Sequence, residues 1–334
     1  MINFINQYDD TNNMRSQIMI SLFGECNMKC DFCFQRHSCY NDVKMTTNNI
    51  NKVLNDFENV IAAHNFAPHI SVSVIGGELF QSKFQRSYWK QLKKFFDSIK
   101  TILERRKISS TISVTTNAMF INDDVIGIIK DLDKVCLSYD LVGRFKSSNQ
   151  LLLWHNNLNK LNEILDKKPI VEIISHKPNI ESILNDDPHW KSIYSANLVE
   201  FNFLENGKGT LWEVTEQDLF TLFAFCLEHY PKIINVQYLI NRYLTKSKSR
   251  TCSHGIIITP QTIKMHCCNR HQCYQQTIIN KQCLNCKHWH YCGQTCFREF
   301  STNSECYIRN FFDYYESWVS RQTPNFDDSL TVIK

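Results

Sequence analysis

Three cysteines fall within eight residues, Cys26, Cys30 and Cys33, spaced three residues and then two residues apart, with Phe32 just before the last. Thiolates are soft ligands that suit zinc or iron–sulfur centres. Three of them from one loop can hold three irons of a four-iron cluster and leave the fourth iron open. A structural zinc site would want a fourth donor close by, which His37 or Cys39 could supply. Far downstream, Cys283, Cys286, Cys292 and Cys296 follow one another at gaps of two, five and three residues, and Cys306 comes ten residues later. Cys252, the adjacent Cys267 and Cys268, and Cys273 precede that group. A tail holding two zinc ions in a treble-clef-like arrangement would also use such spacings.

Fifteen cysteines among 334 residues would read as a disulfide framework in a secreted chain. The N-terminal stretch carries acidic and amide residues and lacks a basic start, a long apolar run and a small-residue cleavage site. No apolar stretch is long enough to span a bilayer. The odd cysteine count also fits complete pairing poorly. A cytoplasmic protein with clustered metal-binding or redox thiols is expected, with no membrane association. The net charge of +4 is small for the length and by itself decides nothing about nucleic acid, and no such partner is expected.

These residues need elements to place them. Short β-prone runs lie at 17–25, 69–76, 111–117, 134–141, 170–176 and 197–204. Between them, apolar residues recur every three or four positions, predicting helices over 46–63, 87–104, 122–131, 149–166 and 180–194. Thr46 or Thr47 can cap the first. Alternating strands and helices predict a parallel sheet of βα units, and near-continuous apolar strands suggest that both faces are covered. A barrel and a doubly wound sheet both fit. Helices at about 215–229 and 235–246 then lead into a cysteine-dense tail over 252–306, which is expected to rely on metal for its stability.

In a barrel of βα units, loops at the carboxyl ends of strands carry the chemistry. The three-cysteine loop follows the first strand, and Gly76-Gly77-Glu78 follows the second. Adjacent glycines allow a ligand to approach the backbone, and a carboxylate can accept hydrogen bonds from an ammonium group. Together these features resemble the radical S-adenosylmethionine enzymes, over roughly residues 15–210. The resemblance implies a partial (β/α)6 TIM-like barrel with a four-iron cluster on Cys26, Cys30 and Cys33. The open iron would bind S-adenosylmethionine, whose reductive cleavage yields methionine and a 5'-deoxyadenosyl radical. Gly76, Gly77 and Glu78 match the methionine-binding motif, with Leu79 where a proline is usual. Thr116 and Asn117 in Thr-Thr-Asn, and Ser138 and Asp140 in Ser-Tyr-Asp, resemble positions that contact the rest of the cofactor.

Behind such a barrel, the tail resembles the SPASM extension, which carries two auxiliary iron–sulfur clusters. That implies a division into a barrel over 1–210, a helical connection over 211–251 and an auxiliary-cluster domain over 252–334. One cluster would use Cys283, Cys286, Cys292 and Cys306, and the other Cys252, Cys267 and Cys296. A further upstream cysteine of some relatives is Lys246 here, and a glycine of the pattern is Thr262. Cys268 or Cys273 would supply the fourth thiolate, or one iron stays open. A free thiol at either position could instead return a hydrogen atom to a peptide radical. Cys136 and Cys226 read as small core residues, and Trp154 and Trp289 as packing. His288 and His290 read as donors to cluster sulfurs or as plain exposed residues.

Enzymes with this extension mostly act on peptides and proteins. The expected activity is maturation of a short precursor peptide or protein by oxidative crosslinking, carbon–carbon or thioether, with an auxiliary cluster taking the last electron. A flavodoxin- or ferredoxin-like reductant is implied. About sixteen residues precede the first strand, too few for a leader-binding winged helix, so leader recognition is expected from the barrel, the tail or a separate peptide-recognition protein. Peptide epimerisation with a cysteine donor is an alternative. Formylglycine formation is another, although Cys268 stands where those enzymes carry an aspartate. A zinc-binding module without catalysis is the non-enzymatic alternative.

Overall fold

The computed structural model describes residues 15–33, 44–202, 210–246, 255–264, 286–288, 291–292 and 306–322. His37, Cys39, Cys252, Cys267, Cys268, Cys273, Cys283, Trp289, His290 and Cys296 lie outside the described residues. By its internal contacts the chain forms two units, Met1–Glu213 with Cys252–Thr277, and Val214–Thr251 with Ile278–Lys334. No described helix is long and apolar enough to cross a membrane.

The first unit is an α/β sheet. Strands β1 (Arg15–Ser21), β2 (Phe66–Ile75), β3 (Ser109–Thr116), β4 (Lys134–Tyr139), β5 (Ile170–Ile174) and β6 (Leu198–Asn202) match the six strands read from sequence. They lie side by side in chain order, and each pairs in parallel with the next. A doubly wound sheet reverses its strand order at a switch point. From β1 to β6 this one does not, so each crossover among them steps the same way, as in a partial (β/α)6 barrel.

Helices α1 (Thr47–Ala63), α2 (Arg86–Arg105), α3 (Asp123–Ile129) and α4 (Ser148–Ile164) fill the first four crossovers. Thr46 caps α1 by accepting the Asn49 N–H at 3.1 Å. The helix expected over 180–194 is two, α5 (Lys177–Leu184) and α6 (Pro188–Ala196). The break falls at Asp186, which takes φ of 60°, and Pro188 then begins α6. Proline has no N–H for an interior turn, so a helix restarts at it rather than running through it.

Two strands were not read from sequence. Strand β7 (Gly255–Ile258) pairs in parallel with β1 on the side opposite β2, and β8 (Ile263–Lys264) pairs antiparallel with β7. The run Ile256-Ile257-Ile258 is a strong β signal that the surrounding cysteines disguised.

The expectation that both sheet faces are apolar does not hold. One face buries Ile18, Ile20, Ile70, Val72, Val74, Val114, Leu137 and Val171 against the helices, where Val53, Phe57, Leu92, Ile99 and Trp154 are also fully buried. The alternate residues form a polar face. Ser73 meets Ser113 at 2.9 Å, Thr115 donates to Glu172 at 3.4 Å, and Lys134 pairs with Glu200 at 2.9 Å. Cys136 belongs to this face, where burial and the Glu172 carboxylate push its thiol up. It is 2% exposed, as expected of a small core residue. Strands of period two with one polar face fit an inward-facing, solvent-reachable wall.

The second unit holds α7 (Glu216–His229), α8 (Ile234–Thr245) and α9 (Tyr307–Gln322). Helix α7 starts with a capping box, in which Thr215 accepts the Asp218 N–H and the Asp218 side chain accepts the Thr215 N–H. Cys226 is fully buried on α7, as expected of a small core residue.

Gly127 sits inside α3, and a Cβ added there would meet nothing within 4 Å. Gly127→Ala should therefore stabilise the protein by about 0.5–1 kcal/mol, read as a higher midpoint in urea.

Candidate functional site

Five carboxyl ends of the sheet carry the residues of interest. The loop leaving β1 is tied to the loop leaving β2 through backbone. Gly77 N–H donates to Phe23 O at 2.7 Å, and Glu78 N–H donates to Glu25 O at 2.8 Å. Gln81 adds a side-chain bond to Glu25 O at 3.1 Å. The approach is so close that a Cβ on Gly77 would lie 2.0 Å from Glu25 O. Gly76 is less constrained, its nearest neighbour being the Leu79 side chain at 3.2 Å. The glycine freedom read as room for a ligand is, at Gly77, room for the cysteine loop's own backbone.

Glu25 fixes the other flank of that loop. Its carboxylate accepts from Met45 N–H at 2.8 Å and from Lys83 Nζ at 3.1 Å. Partial burial would raise its pKa, but these two donors outweigh burial and hold it below the usual carboxylate range.

Glu78 is 2% exposed. One oxygen accepts from Thr116 Oγ1 at 2.7 Å and Phe80 N–H at 2.9 Å, and the other accepts from Asn117 N–H at 2.6 Å. Burial dominates these bonds and pushes its pKa up to about 7. Asn117 then reaches the cysteine loop. Its Nδ2 donates to Asn27 Oδ1 at 2.7 Å and lies 3.8 Å from Cys26 Sγ. Gly77, Glu78, Thr116, Asn117 and Cys26 are thus one hydrogen-bonded group.

Asp140 lies at the end of β4 and is fully buried. It forms a salt bridge with Arg144 at 2.6 Å and accepts from Ile174 N–H and Asn179 Nδ2, both at 2.8 Å. Burial raises its pKa to about 6 against the pull of these donors. Ser138 is half-buried on β4, and its carbonyl accepts from Trp154 Nε1 at 3.2 Å. The structure thus ties Asp140 to Arg144 and Asn179, and Ser138 to the helix behind the sheet.

Arg144, His176 and Trp212 were missed by sequence reasoning. Arg144 was findable as a cation four residues after Asp140, whereas His176 and Trp212 gave no local signal. Phe32, from the cysteine loop, packs at 4.8 Å from the His176 ring, 5.7 Å from the Trp212 ring and 5.6 Å from the Arg144 guanidinium. His176 Nδ1 accepts the Asn179 N–H at 3.2 Å, and its Nε2 is buried without a hydrogen-bond partner. Burial depresses its pKa to about 4.

The three loop cysteines are free thiols. Cys26 is the most open and Cys30 is buried. Desolvation, then the Glu78 carboxylate and the neighbouring thiols, push Cys26 up to about 11 despite a bond from Met28 N–H. Among the described residues, the metal-type ligand atoms gathered within 4.8 Å of one another are those of His288, Asp313 and Glu316. Cys26, Cys30 and Cys33 form no such group, so their sulfurs spread wider than the sphere of a single zinc, whose bonds of about 2.3 Å bring thiolates closer together. Three thiols spread this widely fit a multi-iron group better than one ion.

In the second unit, Cys286, Cys292 and Cys306 are half-buried, and the charges of Cys286 and Cys306 act on each other. His288 departs from both expectations. It is fully buried, with Nδ1 against Tyr291 OH at 2.5 Å and Nε2 against Asp313 at 2.9 Å, so neither nitrogen is left for a sulfur. The neighbouring carboxylates of Asp313 and Glu316 already hold the Lys287 ammonium at 2.8 and 2.7 Å.

The sequence matches no family model and no curated protein. The fold does have solved counterparts. With anSMEcpe bound to AdoMet, 92% of this chain and 97% of that chain superpose with a TM-score of 0.62 at 13% sequence identity. The same protein with AdoMet and the Cp18Cys peptide gives 0.61 at 13% identity, over 93% and 97%. Streptococcus suis SuiB bound to precursor peptide SuiA gives 0.52 at 15% identity, over 88% of this chain and 74% of that chain. The chain has the fold of radical S-adenosylmethionine enzymes.

Two outcomes test this description. Gly77→Ala should cost about 1–3 kcal/mol in denaturant unfolding, because backbone must move, and Gly76→Ala should cost less. The second concerns pH. His176 has a folded pKa below its unfolded value, so its contribution is present above about 6.5 and is lost as pH falls toward 4. Relative to His176→Gln, the natural chain should lose about 3 kcal/mol more between pH 7 and pH 4.

Proposed function

We propose that the protein is a radical S-adenosylmethionine enzyme that matures a peptide. The observation that carries this reading is the joining of two loops. The loop that carries the three cysteines at the carboxyl end of β1 is bonded, backbone to backbone, through Phe23 and Glu25 to Gly77 and Glu78 at the end of β2. Cys26, Cys30 and Cys33 would hold a four-iron cluster. When bound there with S-adenosylmethionine, that cluster supplies one electron for cleavage to methionine and a 5'-deoxyadenosyl radical that takes hydrogen from the substrate.

The chain's own part is positioning. Gly77 and Glu78 clamp the start of the cysteine loop, and Asn117 steadies Asn27 beside Cys26. Phe32, held among His176, Trp212 and Arg144, anchors the stretch between Cys30 and Cys33. The polar inner face of the sheet offers hydrogen-bonding groups to a bound peptide or cofactor. A peptide substrate is supported by anSMEcpe and SuiB, each seen with a peptide. Within that reading we place oxidative crosslinking first, with Cys286, Cys292 and Cys306 among the ligands of an auxiliary cluster that accepts the last electron. The reductant would be a flavodoxin- or ferredoxin-like protein.

Anaerobically purified protein should contain iron and sulfide and, once reduced, should convert S-adenosylmethionine to methionine and 5'-deoxyadenosine. Replacing Cys26, Cys30 and Cys33 together by alanine should abolish that conversion. Zinc without iron would refute the proposal. With a precursor peptide encoded beside this chain, loss of two hydrogens by mass spectrometry marks a crosslink. An unchanged mass with deuterium uptake from solvent would show epimerisation instead.

A further inference from the structure

We propose that Arg144 is a positioning residue that sets the reduction potential of the group on Cys26, Cys30 and Cys33, by holding one buried positive charge against the cysteine loop. The inference rests on the cluster reading above. The loop after β4 is docked onto the cysteine loop at several points. Asp31 N–H donates to Gly143 O at 3.1 Å, and Lys146 Nζ pairs with Asp31 at 2.7 Å. Gly143, between them, takes φ of 86° and lies so close to Phe32 that a Cβ there would meet the ring at 3.1 Å. That tight turn delivers Arg144 over the Phe32 face at 5.6 Å, between Cys30 and Cys33 in sequence. The Arg144 residue is 9% exposed, and its head is fixed by two bonds to Asp140, at 2.7 Å and 2.6 Å.

A guanidinium stays charged at every working pH. The guanidinium lies against the ring of Phe32, the residue just before Cys33 and two after Cys30, so its charge sits against the cysteine loop while Asp140 holds its head. One electron from a low-potential donor makes a cysteine-bound cluster more negative by one unit, with no bond made or broken. A fixed cation in a dry environment stabilises that more negative form and raises the potential. Asp140 fixes the orientation of Arg144 and partly offsets it, so the two residues should move the potential in opposite directions.

The test is a redox titration of the anaerobic full-length holoprotein at pH 8, with dithionite as reductant and electron paramagnetic resonance of the first cluster as readout. Iron and sulfide are measured on every variant. Arg144→Met should lower the reduced-to-oxidised ratio at a given applied potential at least tenfold, which is 59 mV for one electron. Asp140→Asn should raise that ratio. Arg144→Lys should stay nearer the natural value than Arg144→Met, and Lys146→Met, which removes an exposed charge, should shift it least. If Arg144→Met loses its iron, Asp140→Asn decides, and no rise there overturns the inference. A full cluster whose potential is unmoved by both changes, or moved the same way by both, also overturns it while leaving the cluster reading intact. A natural protein without iron overturns both.

Discussion

The site depends on one close approach, that of Gly77 to the backbone of Gly24 and Glu25. Parallel strands β1 and β2 are held in register along their length, but the register alone leaves their emerging loops free. The bonds from Gly77 and Glu78 to Phe23 and Glu25 carry the pairing beyond the ends of both strands. Because backbone meets backbone at contact distance, no side chain can be accommodated, and no rotamer change can relieve one. Cys26 begins immediately after this tie, so its position is inherited from it.

From that tie the organisation spreads across the sheet edge. Glu78 takes donors from the end of β3, Asn117 from β3 returns to the cysteine loop, and Asp140 at β4 takes donors from β5 and α5. Each buried carboxylate is satisfied by groups from the next strand, and the cysteine loop joins the two sets through the bonds of Asn117 to Asn27 and of Asp31 to Gly143. Buried polar groups are costly when any partner is missing. Loosening one strand end therefore disturbs the next, which gives this rim its rigidity without any closed barrel.

The legibility of this arrangement in sequence varied with its physical range. The six parallel strands and their helices follow from local periodicity, and Cys26, Cys30, Cys33 and Gly76-Gly77-Glu78 from spacing. The role of Gly77 did not, because the atom that excludes a side chain belongs to Glu25, more than fifty residues away in the chain. Strand β7 was hidden because its four residues sit among cysteines that drew the reading toward metal. His176 and Trp212 could not be found, since a ring's partner across the sheet leaves no mark on its own neighbours. The split of α5 from α6 was legible in Asp187-Pro188 and was overridden by apolar periodicity on either side.

The charges gathered at this edge carry their own argument. Three thiols and two buried carboxylates, Glu78 and Asp140, converge there, while one deeply buried cation, Arg144, faces them. Left to themselves, three of these groups resist ionisation: Cys26 is pushed up to about 11, Glu78 to about 7 and Asp140 to about 6. The physical cause is the same in each case, burial, with like charges adding to it at Cys26. A cationic metal group that binds the thiolates removes this penalty and releases their protons, so its affinity must rise with pH. The protein supplies the shape of the site but not its charge balance. A metal group held by the loop would supply that balance, so the geometry of the joined loops and the charge they lack point the same way.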